Sequence, residues 1–315
     1  MVGKLTSNKK ASCSILSAIM GLNTYKTQNE QLLETRAHIA GNAIIWDGNE
    51  WTRWGDRLEP IILIEGCKRL GIDPQLGIEA PVKHLTLPLE GSLDGLADGK
   101  YLTIHNDPES GIYVVGQNKI VLEGEGVIES KATRTRPEDF PAMQRGPIQI
   151  QGLMMCGQYK WSALMVLYGG IELRIWLFPI HPGTVKSITE AVFDFDRRIN
   201  APEPEYYDLA NRADAALVYP LGNEQEPKKL SADYEPLVRE YHLVNEGLKD
   251  GEKAKDLLAC EIQKQMGNHT KARVGRYEIL WPLKNYKSQP EKIVAAKEAR
   301  SVRQKTINIK EIKNG

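Results

Sequence analysis

The sequence predicts an α/β fold, with a central mixed β-sheet flanked by helices and a helical C-terminal extension. Strand-like segments separated by turn residues fill residues 82–132, and segments with helical periodicity lie on either side of them. The chain has 315 residues, 41% of them hydrophobic, so it can bury a large core but exceeds the usual size of one domain. We therefore expect a core at residues 1–200 and a helical, basic extension at 201–315 that packs on the core or completes it.

Three helices are expected ahead of the strands. Residues 12–20 predict a short helix and residues 28–38 a polar one. The third is an amphipathic helix over residues 59–70, with Pro60 in its first turn and Gly71 at its end, the positions that these residue types favour. We expect these helices to form part of the layers that cover the sheet.

The strand segments are short and lie between turns, which predicts an antiparallel meander that ends in a longer strand. Their bounds are 82–89, 92–96, 101–105, 112–115 and 119–131. A helix at 148–159 follows, and then two apolar strands at 162–167 and 172–179, whose short Gly-Gly connection indicates a hairpin. After the hairpin we expect a helix at 184–199 and one or two charged helices within 231–266. A strand at 277–281, a basic helix and a final strand at 306–309 complete the prediction.

The composition argues against several classes of protein. The four cysteines form no CxxC or Cys/His cluster, which argues against structural zinc and a disulfide framework and favours a reducing cytoplasm. We expect no signal peptide in the polar residues 1–10 and no membrane span in the interrupted apolar region 161–180. Net charge is zero, but Lys and Arg outnumber Glu at residues 271–313. This basic tail either neutralises phosphates or is an ordinary solvated surface.

Two fragments of the strand region place an acid at or near the end of an apolar strand. They are 91–96, which contains Asp94, and 126–131, which contains Glu129 and Lys131. Residues two apart on a strand share a face, and adjacent strands lie about 4.8 Å apart, so Asp94 can reach the point where Glu129 and Lys131 project. Two carboxylates suit Mg²⁺, and a neighbouring lysine can stabilise charge on a phosphate. Taken singly, each fragment also has an ordinary explanation, as a surface salt bridge or a turn.

In their order along the chain, these motifs resemble those of the PD-(D/E)XK nuclease superfamily, and specifically the phage recombination exonucleases of the lambda exonuclease and YqaJ type. The family pattern is a serine on an N-terminal helix, then Gly-x-x-x-Glu, Ser-x-Asp-Gly, Glu-x-Lys and Gln-x-Gln. The matching residues here are Ser14, Gly55 and Glu59, Ser92 and Asp94, Glu129 and Lys131, and Gln149 and Gln151. The resemblance covers residues 9–180.

The resemblance implies a role for each matching residue. Asp94 and Glu129, with the backbone carbonyl of Ser130, would ligate Mg²⁺, which Mn²⁺ would be able to replace. Lys131 would orient or activate the attacking water, and Glu59 would reach the metal directly or through water. The terminal phosphate or the scissile strand would be held by Ser14, Ser92, Gln149 and Gln151.

Several of these residues also have a simpler explanation. Glu59 could be a first-turn acid that stabilises the helix dipole, and Ser14 could bond back to its own helix. Gln149 and Gln151 could be ordinary polar residues of a helix surface. These alternatives remain open from the sequence.

Two further features concern how DNA would be held. Lys9 and Lys10 are the nearest basic residues ahead of Ser14, where the family carries one. Trp51 and Trp54 lie close to Glu59, and we expect them to pack in the core rather than to stack on DNA bases.

The resemblance implies a metal-dependent nuclease, and specifically a 5′–3′ exonuclease that digests double-stranded DNA ends in phage-type homologous recombination. It also implies a ring-shaped homotrimer, a single-strand annealing protein as partner, and a phage or prophage product in a bacterial cytoplasm, with no membrane association. An endonuclease or nickase on the same core, and a catalytically silent DNA-binding protein, are the alternatives.

Overall fold

The computed structural model describes residues 6–42, 48–219, 231–266, 271–274 and 277–280. The chain divides into two compact units, Met1–Val218 and Tyr219–Gly315. The first unit contains every candidate site residue. The described part of the second consists mainly of one long helix and a strand pair. The boundary expected after residue 200 stays a prediction.

The strands and helices are numbered here in chain order. The strands are β1 (Ala11–Ser12), β2 (Pro74–Leu76), β3 (Val82–Lys83), β4 (Leu89–Gly91), β5 (Gly95–Asp98), β6 (Leu102–His105), β7 (Ile112–Val114), β8 (Lys119–Leu122), β9 (Glu125–Thr133), β10 (Trp161–Tyr168), β11 (Glu172–Pro179), β12 (Lys271–Val274) and β13 (Tyr277–Leu280). The helices are α1 (Leu16–Ile19), α2 (Gln28–Ile39), α3 (Glu50–Leu70), α4 (Pro147–Gly157), α5 (Pro182–Asn200), α6 (Arg212–Val218) and α7 (Glu235–Met266).

A six-stranded mixed sheet forms the centre of the first unit, in the order β2-β5-β9-β10-β11-β7. The pairs β9–β10 and β11–β7 are parallel, and the other neighbours are antiparallel. Helix α4 lies between β9 and β10 in the sequence and provides the crossover that a parallel pair requires. The expected α/β class and the β10–β11 hairpin are thereby confirmed.

The expected antiparallel meander is wrong. The segment predicted as one strand at 119–131 is divided into β8 and β9, and β8 pairs with β6 in a separate two-stranded sheet. Strand β7 lies at the far edge of the central sheet, parallel to β11. Parallel pairing with strands distant in the sequence, β9 with β10 and β7 with β11, decided where β7 and β9 lie. Local turn residues carry no information about such pairing.

Helix α3 begins nine residues earlier than expected, at Glu50 instead of Glu59. The Asn49 side chain accepts a hydrogen bond from the Thr52 backbone N–H, which caps the helix there. Pro60 therefore lies inside the helix, not in its first turn. The expected end is confirmed, because Gly71 has the left-handed conformation of a C-cap, with φ 72°.

The charged segment of the second unit forms one continuous helix, α7, through Gly251. The strand expected at 277–281 is β13, paired with β12. The basic helix and the final strand expected after it lie outside the described residues, as does most of the basic tail. Over the described residues, no helix is both long enough and apolar enough to cross a membrane.

The two faces of the sheet have separate apolar cores. Side chains of β9 alternate, so Val127 packs with the core formed by α1, α4 and α5, whereas Ile128 packs with α3 on the other face. Residues after α5 also pack on this unit: Arg36 of α2 donates to the Ala201 carbonyl at 2.7 Å, and Asn29 donates to buried Asp214 at 2.9 Å. These two contacts hold Ala201 and Asp214 against α2.

Gly126 of β9 provides a test of this packing. A Cβ at this position would overlap the ring of Trp161, which is fully buried in β10. We expect Gly126→Ala to lower the free energy of unfolding by about 1–3 kcal/mol, the usual cost of overpacking a core. Urea denaturation measures the change.

The control is Gly55→Ala in α3, because a Cβ there meets no atom within 4 Å. This substitution should leave stability unchanged or raise it by about 0.5–1 kcal/mol, since alanine favours a helix over glycine. Equal effects of the two substitutions would contradict the close contact between β9 and Trp161.

Candidate active site

Strand β9 carries Glu129 and Lys131 on the same face, two residues apart. The three residues before Glu129, 126–128, are buried, and the strand is covered on both faces, so Glu129 is fully buried, with 0% of its surface exposed. Gly95 pairs with Ile128, which places Asp94, just before β5, beside Glu129. The sheet therefore brings together the three residues that the sequence proposed as a centre.

The two carboxylate oxygens of Glu129 differ in their surroundings. Oε1 accepts hydrogen bonds from Lys131 Nζ and from Gln149 Nε2 of α4, the latter at 2.5 Å. Oε2 is buried and has no hydrogen-bond partner among the described residues. A buried carboxylate oxygen without a partner carries a large desolvation cost, which a cation or a hydrogen-bond donor would offset.

Asp94 is held by the residue between Glu129 and Lys131. Its Oδ2 accepts the backbone N–H of Ser130 at 2.9 Å and the Ser130 hydroxyl at 3.3 Å. These bonds fix the carboxylate just before the start of β5. The proposed metal ligation by the Ser130 carbonyl remains a prediction.

The electrostatics of the centre follow from burial and crowding of acids. Burial raises the pKa of Glu129 to about 8, and the neighbouring Asp94 charge adds to the shift, while Lys131 opposes it. Burial also raises the pKa of Glu59 to about 7, again reinforced by Asp94. For Lys131, burial lowers the pKa, but the charges of Glu129 and Asp94 outweigh it and the net shift is upward. The lysine is therefore an ammonium group at neutral pH.

The donor set fits Mg²⁺. Among the described residues, no three His, Cys, Asp or Glu side chains are grouped so as to hold a metal by themselves. Mg²⁺ does not need three, because it commonly takes one or two carboxylates and keeps several waters. The partnerless Oε2 of Glu129 and the neighbouring Asp94 supply that number of carboxylates.

Glu59 approaches the centre from α3. Because this helix begins at Glu50, Glu59 lies in its third turn and cannot be a first-turn acid for the helix dipole. It is half-buried, and its charge raises the pKa of Glu129, so it lies within electrostatic range of the centre. Direct contact with a metal stays a prediction.

The residues proposed to hold the substrate divide into two groups. Gln149 contacts the centre, since it donates to Glu129. Gln151, by contrast, is buried, donates to the Pro179 carbonyl at 2.9 Å and accepts from the His181 N–H at 2.9 Å. The structure therefore places Gln151 away from the cluster, at the end of β11.

Ser14 lies in the short 3-10 helix Cys13–Ile15 between β1 and α1, and Ser92 lies between β4 and β5. Ser14 is exposed, and its hydroxyl lies 3.1 Å from that of Ser12, while Ser92 is half-buried two residues before Asp94. Of the basic residues ahead of Ser14, Lys10 pairs with the buried carboxylate of Glu90 at 2.5 Å. Phosphate binding by the serines stays a prediction.

Sequence reasoning missed two neighbours of the centre. Cys13 is buried close enough for the Glu129 charge to contribute to the raised pKa of its thiol, after burial and the contact with Cys156, whose sulfur lies 3.9 Å away. Arg134 lies three residues beyond Lys131, and its guanidinium lies 3.2 Å from the ring centre of Trp51. No sequence spacing links residues so far apart in the chain.

The expectation that the two α3 tryptophans pack in the core is wrong. Trp51 is 53% exposed and Trp54 is 49% exposed. The reason is the early start of α3: the turns that carry them extend beyond the core, and the buried residues of this helix begin at Ile62.

Comparisons with known proteins give structural likenesses only. No protein-family model matches the chain, and no curated protein matches it. Among solved structures, the alkaline exonuclease LHK-Exo from Laribacter hongkongensis, in complex with dAMP, is similar at a TM-score of 0.43 and 15% identity, over 61% of this chain and 88% of that one. A phage-related exonuclease from Haemophilus somnus 129PT is similar at 0.40 and 13%, over 60% and 92%.

Both are solved structures of exonucleases. Similarities at TM-scores below 0.5 do not establish what this chain does, so its function is inferred from its own side chains.

The partnerless oxygen of Glu129 predicts that divalent cations stabilise the fold. Addition of Mg²⁺ should raise the thermal unfolding midpoint, because a ligand that binds only the folded state stabilises it, by about 2.7 kcal/mol at a concentration 100 times its dissociation constant. The increase should be lost in Glu129→Gln. The control is Glu90→Gln, because Glu90 is equally buried but has partners on both oxygens, Ser7 N–H and Lys10. An equal increase in all three proteins would contradict a site at Glu129.

The same carboxylate predicts a pH dependence in the cation-free protein. The pKa of Glu129 in the folded state, about 8, lies above its ordinary value of 4.5, so between these values the folded protein binds a proton more tightly than the unfolded chain does. The free energy of unfolding should therefore fall as the pH rises through this window. Denaturation at several pH values should show a shallower fall for Glu129→Gln, and identical slopes would be evidence against the buried carboxylate.

Proposed function

We propose that this protein is a metal-dependent nuclease that hydrolyses DNA phosphodiester bonds. The observation that carries the proposal is the fully buried Glu129 carboxylate, with one oxygen bound to Lys131 and the other without a partner, beside Asp94. Two acids and an ammonium group held together within a sheet are an unstable arrangement in an apolar interior. They are useful for binding a divalent cation and a phosphate together.

Each residue of the centre then has a defined task. Asp94 and Glu129 would hold Mg²⁺, which supplies positive charge that stabilises the phosphate as its charge develops. Lys131, kept as an ammonium by the carboxylates, positions the attacking water and neutralises charge on the phosphate. Gln149 orients Glu129 through its hydrogen bond to Oε1. Glu59 adds a half-buried acid that reaches the cation directly or through water.

The more specific assignment is a 5′–3′ exonuclease that acts on double-stranded DNA ends in phage-type recombination, with Mn²⁺ able to replace Mg²⁺. Its support is the ordered set of sequence motifs from Ser14 to Gln151. The same resemblance supports a homotrimeric ring, a single-strand annealing partner and a cytoplasmic location. An endonuclease or nickase on the same core is the main competing function.

Substitutions at the centre should separate catalysis from folding. Lys131→Ala and Glu129→Ala should each lower the rate of Mg²⁺-dependent DNA cleavage by about 10²-fold or more, because Lys131 would neutralise charge on the reacting phosphate and Glu129 would hold the cation beside it. Release of labelled nucleotides from linear duplex measures the rate, with a chelator as the metal-free reference.

The matched control is the exposed ion pair of Lys160 and Glu123, which has the same two residue types on the surface. Alanine at either position should leave the rate within about twofold, since exposed pairs contribute little. If Lys131→Ala and Glu129→Ala retained full cleavage, the catalytic assignment would be wrong.

The form of the DNA distinguishes the two candidate nucleases. An exonuclease should degrade linear duplex and leave a covalently closed circle intact, because a circle has no end. Duplex labelled at one 5′ end should release the label early if digestion begins at the 5′ terminus. Cleavage of the closed circle at a comparable rate would instead establish the endonuclease.

A further inference from the structure

The first two turns of α3 present exposed aromatic side chains that the proposed chemistry does not use. No residue from Glu50 to Ile61 is buried. Trp51 and Trp54 lie on this segment, each about half-exposed. Large exposed aromatic side chains cost solvation free energy, so a pair of them on one helix end indicates a surface that is covered during function.

Each tryptophan is paired with an arginine. The Arg134 guanidinium lies 3.2 Å from the ring centre of Trp51, and the Arg57 guanidinium lies 5.2 Å from that of Trp54. Within the described parts of the chain, no carboxylate forms an ion pair with either guanidinium. The surface therefore combines flat aromatic faces with two guanidinium groups that lie against them. We call these four side chains the tryptophan–arginine surface.

This surface is connected to the candidate centre at two points. Arg134 follows β9 directly, three residues after Lys131. Trp51 precedes Glu59 by eight residues on the same helix, which corresponds to about 12 Å along the axis. A nucleic acid strand rises about 3.4 Å per nucleotide, so a strand that ran from the centre along α3 would reach Trp51 within a few nucleotides.

We propose that the tryptophan–arginine surface is a stacking site for unpaired bases of the DNA strand next to the cleavage site. The inference rests on the proposed function for its substrate class. Bases stack on aromatic faces whatever their identity, and arginine adds its planar guanidinium to the stack and its charge to the phosphates. Positive charge beside the aromatic rings favours a nucleic acid strand as the occupant, and an apolar protein partner would not need it.

The test measures binding without cleavage, in a chelator, so that it does not depend on a functional metal centre. The probe is a fluorescent oligothymidylate, and the reference is an oligonucleotide of equal length in which abasic sites replace the bases. Trp51→Ala and Trp54→Ala should each weaken oligothymidylate binding by about tenfold, with a larger loss in the double variant. Binding of the abasic strand should change little, because it retains the phosphates.

Conservative variants and a matched control complete the experiment. Trp51→Phe and Trp54→Phe should retain most of the affinity, since an aromatic face remains. Tyr101→Ala removes another exposed aromatic ring, one near the opposite end of β9, where Asp98 pairs with Glu125, and should bind like the unaltered protein. Arg134→Ala should weaken binding of both the oligothymidylate and the abasic strand, because it removes a positive charge as well as a stacking partner of Trp51.

The outcomes distinguish this inference from the proposed function. Unchanged oligothymidylate binding in the double alanine variant would overturn the stacking site, and it would leave metal-dependent cleavage untouched. An equal loss on oligothymidylate and abasic strands would also overturn it, since the bases would then contribute nothing. If instead cleavage is absent from the unaltered protein while the tryptophan variants lose base-dependent binding, the stacking site stands and the nuclease proposal fails.

Discussion

Burial of a carboxylate in the middle of a sheet strand is the constraint on which the centre depends. Glu129 is enclosed by both layers of the fold, and desolvation is the largest cause of its raised pKa. In such a setting a charged group needs a compensating partner, and the chain provides one for Oε1 and none among its described residues for Oε2. The fold thus carries an electrostatic cost at one atom, and the binding of a cation would offset it.

The surrounding elements serve to hold this arrangement. Strand β10 pairs in parallel with β9 and covers it, α4 places Gln149 against Oε1, and the Ser130 N–H fixes Asp94 at the neighbouring strand end. Each contact joins parts of the chain at least 20 residues apart. The positions of the acids are therefore set by the sheet and its crossover helix, and a rigid framework of this kind is what a precise catalytic centre requires.

Helix α3 joins two surfaces with different properties. Its second half packs against the sheet through Ile62, Leu63 and Cys67, whereas its first half extends past the core and exposes two tryptophans. Glu59 lies at the transition between them. One helix thus positions an acid at the candidate centre and an aromatic surface beside it, and the proposed chemistry and the proposed stacking site depend on the same element.

The sequence by itself determined the α/β class, the hairpin of β10 and β11 and the end of α3, and it singled out Asp94, Glu129 and Lys131 as candidates. These features rest on period-two and helical patterns, C-cap glycines and short motifs. Such patterns involve residues close together in the chain, so they can be recognised without knowledge of tertiary contacts. Only the tertiary structure decided that β7 lies at the far sheet edge, that Trp51 meets Arg134, and that Gln151 supports the end of β11. These results depend on parallel pairing and packing between distant segments, for which a single sequence carries no periodic signal.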